Sequence, residues 1–212
     1  RRSSDLHIVD LCVEYGVYLL SDEIHADFGM TRPYTTAGRF EKIHDRLVVY
    51  TAISKTFNMA GLGSSCMMIP NPELKQKISD SYDACWMFGP CDLAFTAMEA
   101  AYTHGDAWVD QQLAYLEGNV ETVNTFVAEH MPGVQVTKHE GTFLMWLDMT
   151  CFGKSSRELT SILAKEYGLA LGDGSHYGTQ AEGFMRLNIG CTRDTLIKGL
   201  EQMAVMYDKY VK

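Results

Sequence analysis

The 212-residue sequence predicts an α/β part up to about residue 105, followed by a smaller α+β part from about residue 118. Three features predict this. A helical stretch and the short apolar runs "VYLL" and "RLVVYTAI" follow one another in the rhythm of an α/β sheet. One long amphipathic helix over 106–131 joins the two parts. The alternating run "FMRLNI" and an amphipathic helix then close the chain.

Each element has its own local cause. "LHIVDLCVEYG" spaces its apolar residues helically and stops at Gly16. "VYLL" reads as a strand covered on both faces, with the polar "SDEIHADF" at its downstream end. "RLVVYTAI" is a second strand, ending at Ser54 and Lys55, and "SSCMMIP" is a third. "NPELKQKISDSY" begins a helix, with Asn71 as cap and Pro72 in the first turn. "DLAFTAMEAAY" is another helix. In the long helix, apolar residues at 109, 113, 116, 120, 123 and 127 form one stripe despite Gly118. "VQVT" and "TFLMWLDM" read as strands, and "SSRELTSILAKEYG" as a helix opened by a Ser155–Glu158 capping box. Alternation puts Arg186 and Asn188 on one face of "FMRLNI" and Met185, Leu187 and Ile189 on the other. Leu196, Leu200, Met203 and Tyr207 stripe the last helix.

Composition narrows the function. With 46% hydrophobic and 21% charged residues, the chain has the balance of a soluble globular protein. A net charge of −9 argues against nucleic acid as a partner, because phosphate contacts need clustered Lys and Arg. No apolar run approaches the ~20 residues of a membrane span. Six scattered cysteines without a C-x-x-C pair fit reduced thiols in a cytoplasm, and the dispersed histidines predict no metal site. The sequence opens on "RRSSDLHIVD", without Met and already helical in character, and is expected to belong to a longer protein.

Ligands of α/β sheets sit at the carboxyl ends of strands, where Asp22 and Lys55 both fall. Asp22 reads either as a turn or cap residue or as a carboxylate for a cationic ring nitrogen. Lys55 is either a solvated lysine or a functional one. A helix start is electrostatically poor for a cation, which favours function. Arg186 suits either a buried carboxylate partner or two-pronged capture of a substrate carboxylate.

"SDEIHADF", "SKTFNMAGL", "EGTFLMWLD" and "GFMRLNIGCTR" together resemble the fold-type I enzymes that use pyridoxal 5′-phosphate (PLP). The closest branch is the aminotransferase-like C–S lyases, or cystathionine β-lyases, of the MalY/PatB type. The resemblance runs through nearly the whole chain but covers only the carboxyl-terminal half or so of such an enzyme. It implies that residues 1–105 belong to the large PLP-binding α/β domain, that 106–131 is an interdomain helix, and that 118–212 is the small α+β domain. It also implies roles. Lys55 carries the cofactor and then removes the substrate α-proton, while Asp22 pairs with the ring nitrogen. His25 lies near the cofactor's phenolic oxygen, where aminotransferases often place a tyrosine. Its other reading is an ordinary loop histidine. Ser54 and Thr51 contact the phosphate, and Arg186 holds the substrate α-carboxylate.

Ala52 and Gly63 stand where many aminotransferases carry a phosphate-binding serine and arginine, a departure that agrees with the lyase branch. The family's phosphate-binding loop and ring-stacking aromatic are expected to precede residue 1. "GDGSHYG" at 172–178 reads as a loop near the active site. No motif supplies an acid for the leaving sulfur. The implied activity is PLP-dependent β-elimination from cystathionine or cysteine-type amino acids, in a cytoplasmic homodimer. The alternatives are a class I/II aminotransferase and, for this stretch alone, an inert piece of the active site that binds PLP weakly and self-associates.

Overall fold

A computed structural model describes residues 2–87 and 89–211; Arg1, where the helical reading of the opening residues begins, lies outside them. The chain forms two compact units. One comprises the residues up to Gly29 together with Pro33–Asp110, and the other Met30–Arg32 with Gln111–Lys212.

The first unit opens with α1 (Arg2–Glu14), which ends at Gly16 in the left-handed region at φ 66°. Strands β1 (Leu19–Asp22), β2 (Leu47–Thr51) and β3 (Cys66–Met68) form a sheet in the order β1-β2-β3. β1 runs parallel to β2, and β3 antiparallel to it. The middle strand buries Leu47, Val48 and Val49 in succession, as a strand covered on both faces does. β1 does not. It lies at the sheet edge and starts two residues later than "VYLL", so Val17 and Tyr18 precede it and Leu20 is 61% exposed. Val9, Ile43, Leu47 and Val49 make a core that joins α1 to the sheet. The one-turn helix α2 (Ile53–Thr56) follows β2 directly. Next come α3 (Pro72–Ala84), capped by Asn71 on the amides of Glu73 and Leu74, and α4 (Asp92–His104).

Helix α5 (Asp106–His130) is continuous, and the change of unit falls inside it. The second unit carries β4 (Gln135–Val136), β5 (Leu144–Asp148), β6 (Gly172–Asp173) and β7 (Phe184–Asn188) in the order β4-β5-β7-β6. Every pair is antiparallel. Helix α6 (Ser156–Tyr167) opens on the complete Ser155–Glu158 capping box. Helix α7 (Arg193–Tyr210) buries Leu196, Leu200, Met203, Met206 and Tyr207. Met145 and Leu147 of β5, Met185 of β7 and Ile189 just beyond it are buried, while Leu187 is only half-buried. No helix among the described residues is long and apolar enough to cross a membrane.

Candidate active site

The carboxyl ends of β1 and β2 place the first group of polar residues. Parallel pairing sets Asp22 opposite Tyr50, so Asp22 and Thr51 emerge at the same end of the sheet. The chain folds this way because Leu47–Val49 fix β2 in the core and Ala52 continues it in extended geometry into α2. Asp22 Oδ1 accepts from the Ile24 amide at 3.1 Å, a local turn bond. The turn role and a ligand role are therefore compatible, because one carboxylate oxygen remains outside that bond.

A cavity of about 390 Å³ opens here, lined by Leu20, Asp22, Ile24, Tyr50, Thr51, Ala52 and Ser65. That volume lies within the range of small-molecule sites. The cavity gathers Asp22 and Thr51; Lys55, Ser54 and His25 are not part of its lining. Lys55 sits half-buried in α2 beside the fully buried Ile53 and Thr56. Among the described residues its side-chain amine makes no hydrogen bond or ion pair, while its carbonyl accepts from the Asn58 amide at 3.2 Å. Ser54 is likewise half-buried. His25 caps the 3-10 turn Ala26–Phe28 without a side-chain cap bond, and its ring meets Phe28 at 5.9 Å between centroids.

The sequence had given no weight to Ser65, Ser64 or Tyr102. Ser65 lines the cavity, and the neighbouring Ser64 buries its hydroxyl with no hydrogen-bond partner among the described residues. Tyr102 of α4 bonds to Thr51; burial pushes its phenol above the ordinary value, against the pull of that bond. Nothing in an isolated serine pair or an amphipathic helix signals such contacts.

Arg186 belongs to the second unit. It stands mid-strand in β7, opposite Trp146 of β5 on one side and Gly172 of β6 on the other. Its guanidinium lies 5.1 Å from the centre of the Tyr177 ring. Tyr177 in turn meets Trp146 edge-on at 5.4 Å, and Trp146 stacks on Phe184 at 5.8 Å. A Cβ on residue 172 would come within 3.3 Å of Arg186 Nε, so the glycine leaves room for the side chain. Asp173 fixes the start of this loop by accepting from the Ser175 amide and hydroxyl, and these bonds hold its carboxyl below the usual range. Of the two sequence readings of Arg186, a buried carboxylate partner is absent among the described residues. Its donors remain available to a ligand. No cluster that could hold a metal ion occurs among the described residues.

Residues 4–203 match the family of aminotransferases of class I and II. Cystathionine beta-lyase PatB of Bacillus subtilis is 37% identical over 204 residues, which cover 95% of this chain and 53% of that protein. Protein MalY of Escherichia coli is 31% identical, over 91% of this chain and 50% of its own length. The crystal structure of cystalysin from Treponema denticola, which contains a pyridoxal 5′-phosphate cofactor, superimposes with a TM-score of 0.92 at 26% identity. That match covers 100% of this chain and 54% of cystalysin. The chain thus spans about half the length of the curated relatives it matches.

Proposed function

Because this chain belongs to the aminotransferase class I and II family, we propose that it forms part of a PLP-dependent C–S β-lyase. The substrate is a sulfur amino acid of the cystathionine or cysteine type, and the products are a thiol, pyruvate and ammonia. The observation that carries this reading is the Asp22 cavity at the strand ends, in a chain 37% identical to a cystathionine β-lyase.

The residues present fit the cofactor. Asp22 offers an open carboxylate oxygen to a cationic ring nitrogen, and Thr51 stands beside it in the same cavity. Ser54 and Thr51 supply hydroxyl donors for a phosphate, and the unpartnered hydroxyl of Ser64 adds another next to the cavity. When bound, PLP supplies an electron sink for the charge left at the substrate α-carbon. Lys55, whose amine has no partner among the described residues, would hold the group and would take the substrate α-proton as general base. His25 sits three residues beyond Asp22 and serves the cofactor's phenolic oxygen. Arg186, its guanidinium 5.1 Å from the centre of the Tyr177 ring, grips the substrate α-carboxylate with two parallel N–H donors.

A second reading, a class I/II aminotransferase, draws support from the family itself and uses the same Lys55, Asp22 and Arg186. A third, that these 212 residues alone are catalytically inert, draws support from the half-length match to the relatives. Assaying pyruvate from cystathionine without added keto acid separates the first two. A lyase releases pyruvate at once, whereas a transaminase needs the keto acid. In the favoured reading the enzyme works as a cytoplasmic homodimer. The six free cysteines support a reducing compartment, and the exposed apolar side chains of α1 support a covered face.

A further inference from the structure

Thr56 and Asp27 have no part in the roles assigned above, yet they join the two segments that carry them. The Thr56 hydroxyl donates to Asp27 Oδ2 at 2.7 Å, across 29 residues of sequence. Thr56 is 1% exposed, so its hydroxyl depends on a protein partner rather than on bulk water.

The bond matters because α2 has only four residues, and a single turn has little stability of its own. The direction of Lys55 is therefore set by what its neighbours hold. Ile53, 0% exposed, anchors one side. Thr56 anchors the other, and its carbonyl accepts from Trp108 Nε1 at 3.4 Å. Asp27 sits in the turn Ala26–Phe28, pinned by Phe28 at 1% exposure, directly after Asp22 and His25. One hydrogen bond thus spans from the segment bearing Asp22 and His25 to the turn bearing Lys55.

We propose that Asp27 and Thr56 are positioning residues, whose hydrogen bond holds the Lys55 amine in register with Asp22. The inference rests on the PLP reading above. Reacting groups displaced by about 1 Å lose on the order of 10²-fold in rate, so such a strut has a kinetic signature.

Thr56→Val nearly keeps the shape and deletes the donor, leaving the exposed Asp27 carboxylate to water. Thr56→Ser restores the donor. In the full-length enzyme loaded with PLP, Thr56→Val is expected to lower kcat about 10- to 100-fold while KM stays within about threefold. The pH midpoint of the lysine-bound PLP absorbance should move as well, and Thr56→Ser should recover both. A cofactor-free arm follows the labelling rate of the Lys55 amine by an acylating reagent, read by peptide mass spectrometry. That rate is expected to change about threefold or more in Thr56→Val and not in Thr56→Ser.

A folded Thr56→Val with wild-type kcat, pH midpoint and labelling rate overturns the proposal. If Thr56→Val does not fold, Asp27→Ala, made at an exposed side chain, gives the same comparison with the same two outcomes. If labelling responds but neither the wild-type full-length enzyme nor any of its variants binds PLP, the strut stands and the PLP reading falls.

Discussion

Two lysines show what residue-level context does. Lys209 donates to Glu166 at 2.7 Å, a bond that raises its pKa and ties up its charge. Lys55 is half-buried and has no such partner among the described residues. A partnerless lysine in a one-turn helix at a strand end is chemically available. In the full-length enzyme we expect Lys55→Ala to abolish β-elimination, because both the attachment of the cofactor and the proton-transfer base are lost; steady-state pyruvate release measures it. Asp22→Asn keeps the turn bond to Ile24 but removes the charge. The expected loss is on the order of 4–7 kcal/mol of transition-state stabilisation, and less than tenfold in kcat would reduce Asp22 to a turn residue. Arg186→Lys should raise KM for the amino acid far more than the Kd for PLP, since an ammonium does not fork onto a carboxylate. Equal weakening of both would mean that Arg186 serves the fold. The placement of Asp22 at a strand end, of Lys55 just beyond one and of Arg186 mid-strand was legible because each stands in a short local motif. Tyr177 over Arg186, Ser65 in the cavity and Asp27 on Thr56 were not, because each contact is made through space between loops that lack periodicity.

At the scale of elements, patterns of apolar spacing were legible wherever a helix met a core. The α7 stripe and the α6 capping box needed only local sequence. The bounds of β1 did not follow from hydrophobicity, because an edge strand shows its apolar side chains to solvent. Gly118 inside α5 also has a reason that sequence alone hides. Arg193 lies over it, with Nη2 only 2.5 Å from where a Cβ would stand. From there Arg193 Nε donates to Asn119 Oδ1, and the buried Asn119 amide donates to the carbonyls of Ile189 and Cys191. Asn119→Ala leaves these groups without partners. We expect it to destabilise the second unit by roughly 2–4 kcal/mol in chemical denaturation, whereas a change below about 0.5 kcal/mol would mean that the network is idle. The capping box adds a pH dependence. Bonds from the Ser155 hydroxyl and amide lower the Glu158 pKa. The stabilisation is present above the ordinary glutamate value and is lost as pH falls through the depressed one. Glu158→Gln should flatten that acid limb of the helical circular dichroism.

Across the whole molecule, apolar exposure is concentrated in the first unit. Tyr15, Leu20, Trp86 and Leu93 are each more than 60% exposed, at 70%, 61%, 78% and 74%. Such surfaces usually meet another surface. We expect the 212-residue chain by itself to self-associate in sedimentation, to bind PLP weakly and to release no pyruvate from cystathionine. The central claim is that Lys55 carries the cofactor, and chemical trapping tests it most directly. The protein, isolated from its own cells with its cofactor and without added PLP, is reduced with borohydride, digested and mapped by mass spectrometry. The pyridoxyl group is expected on the peptide containing Lys55 and on no other. A pyridoxyl group on a different lysine, or none on any, would contradict the assignment.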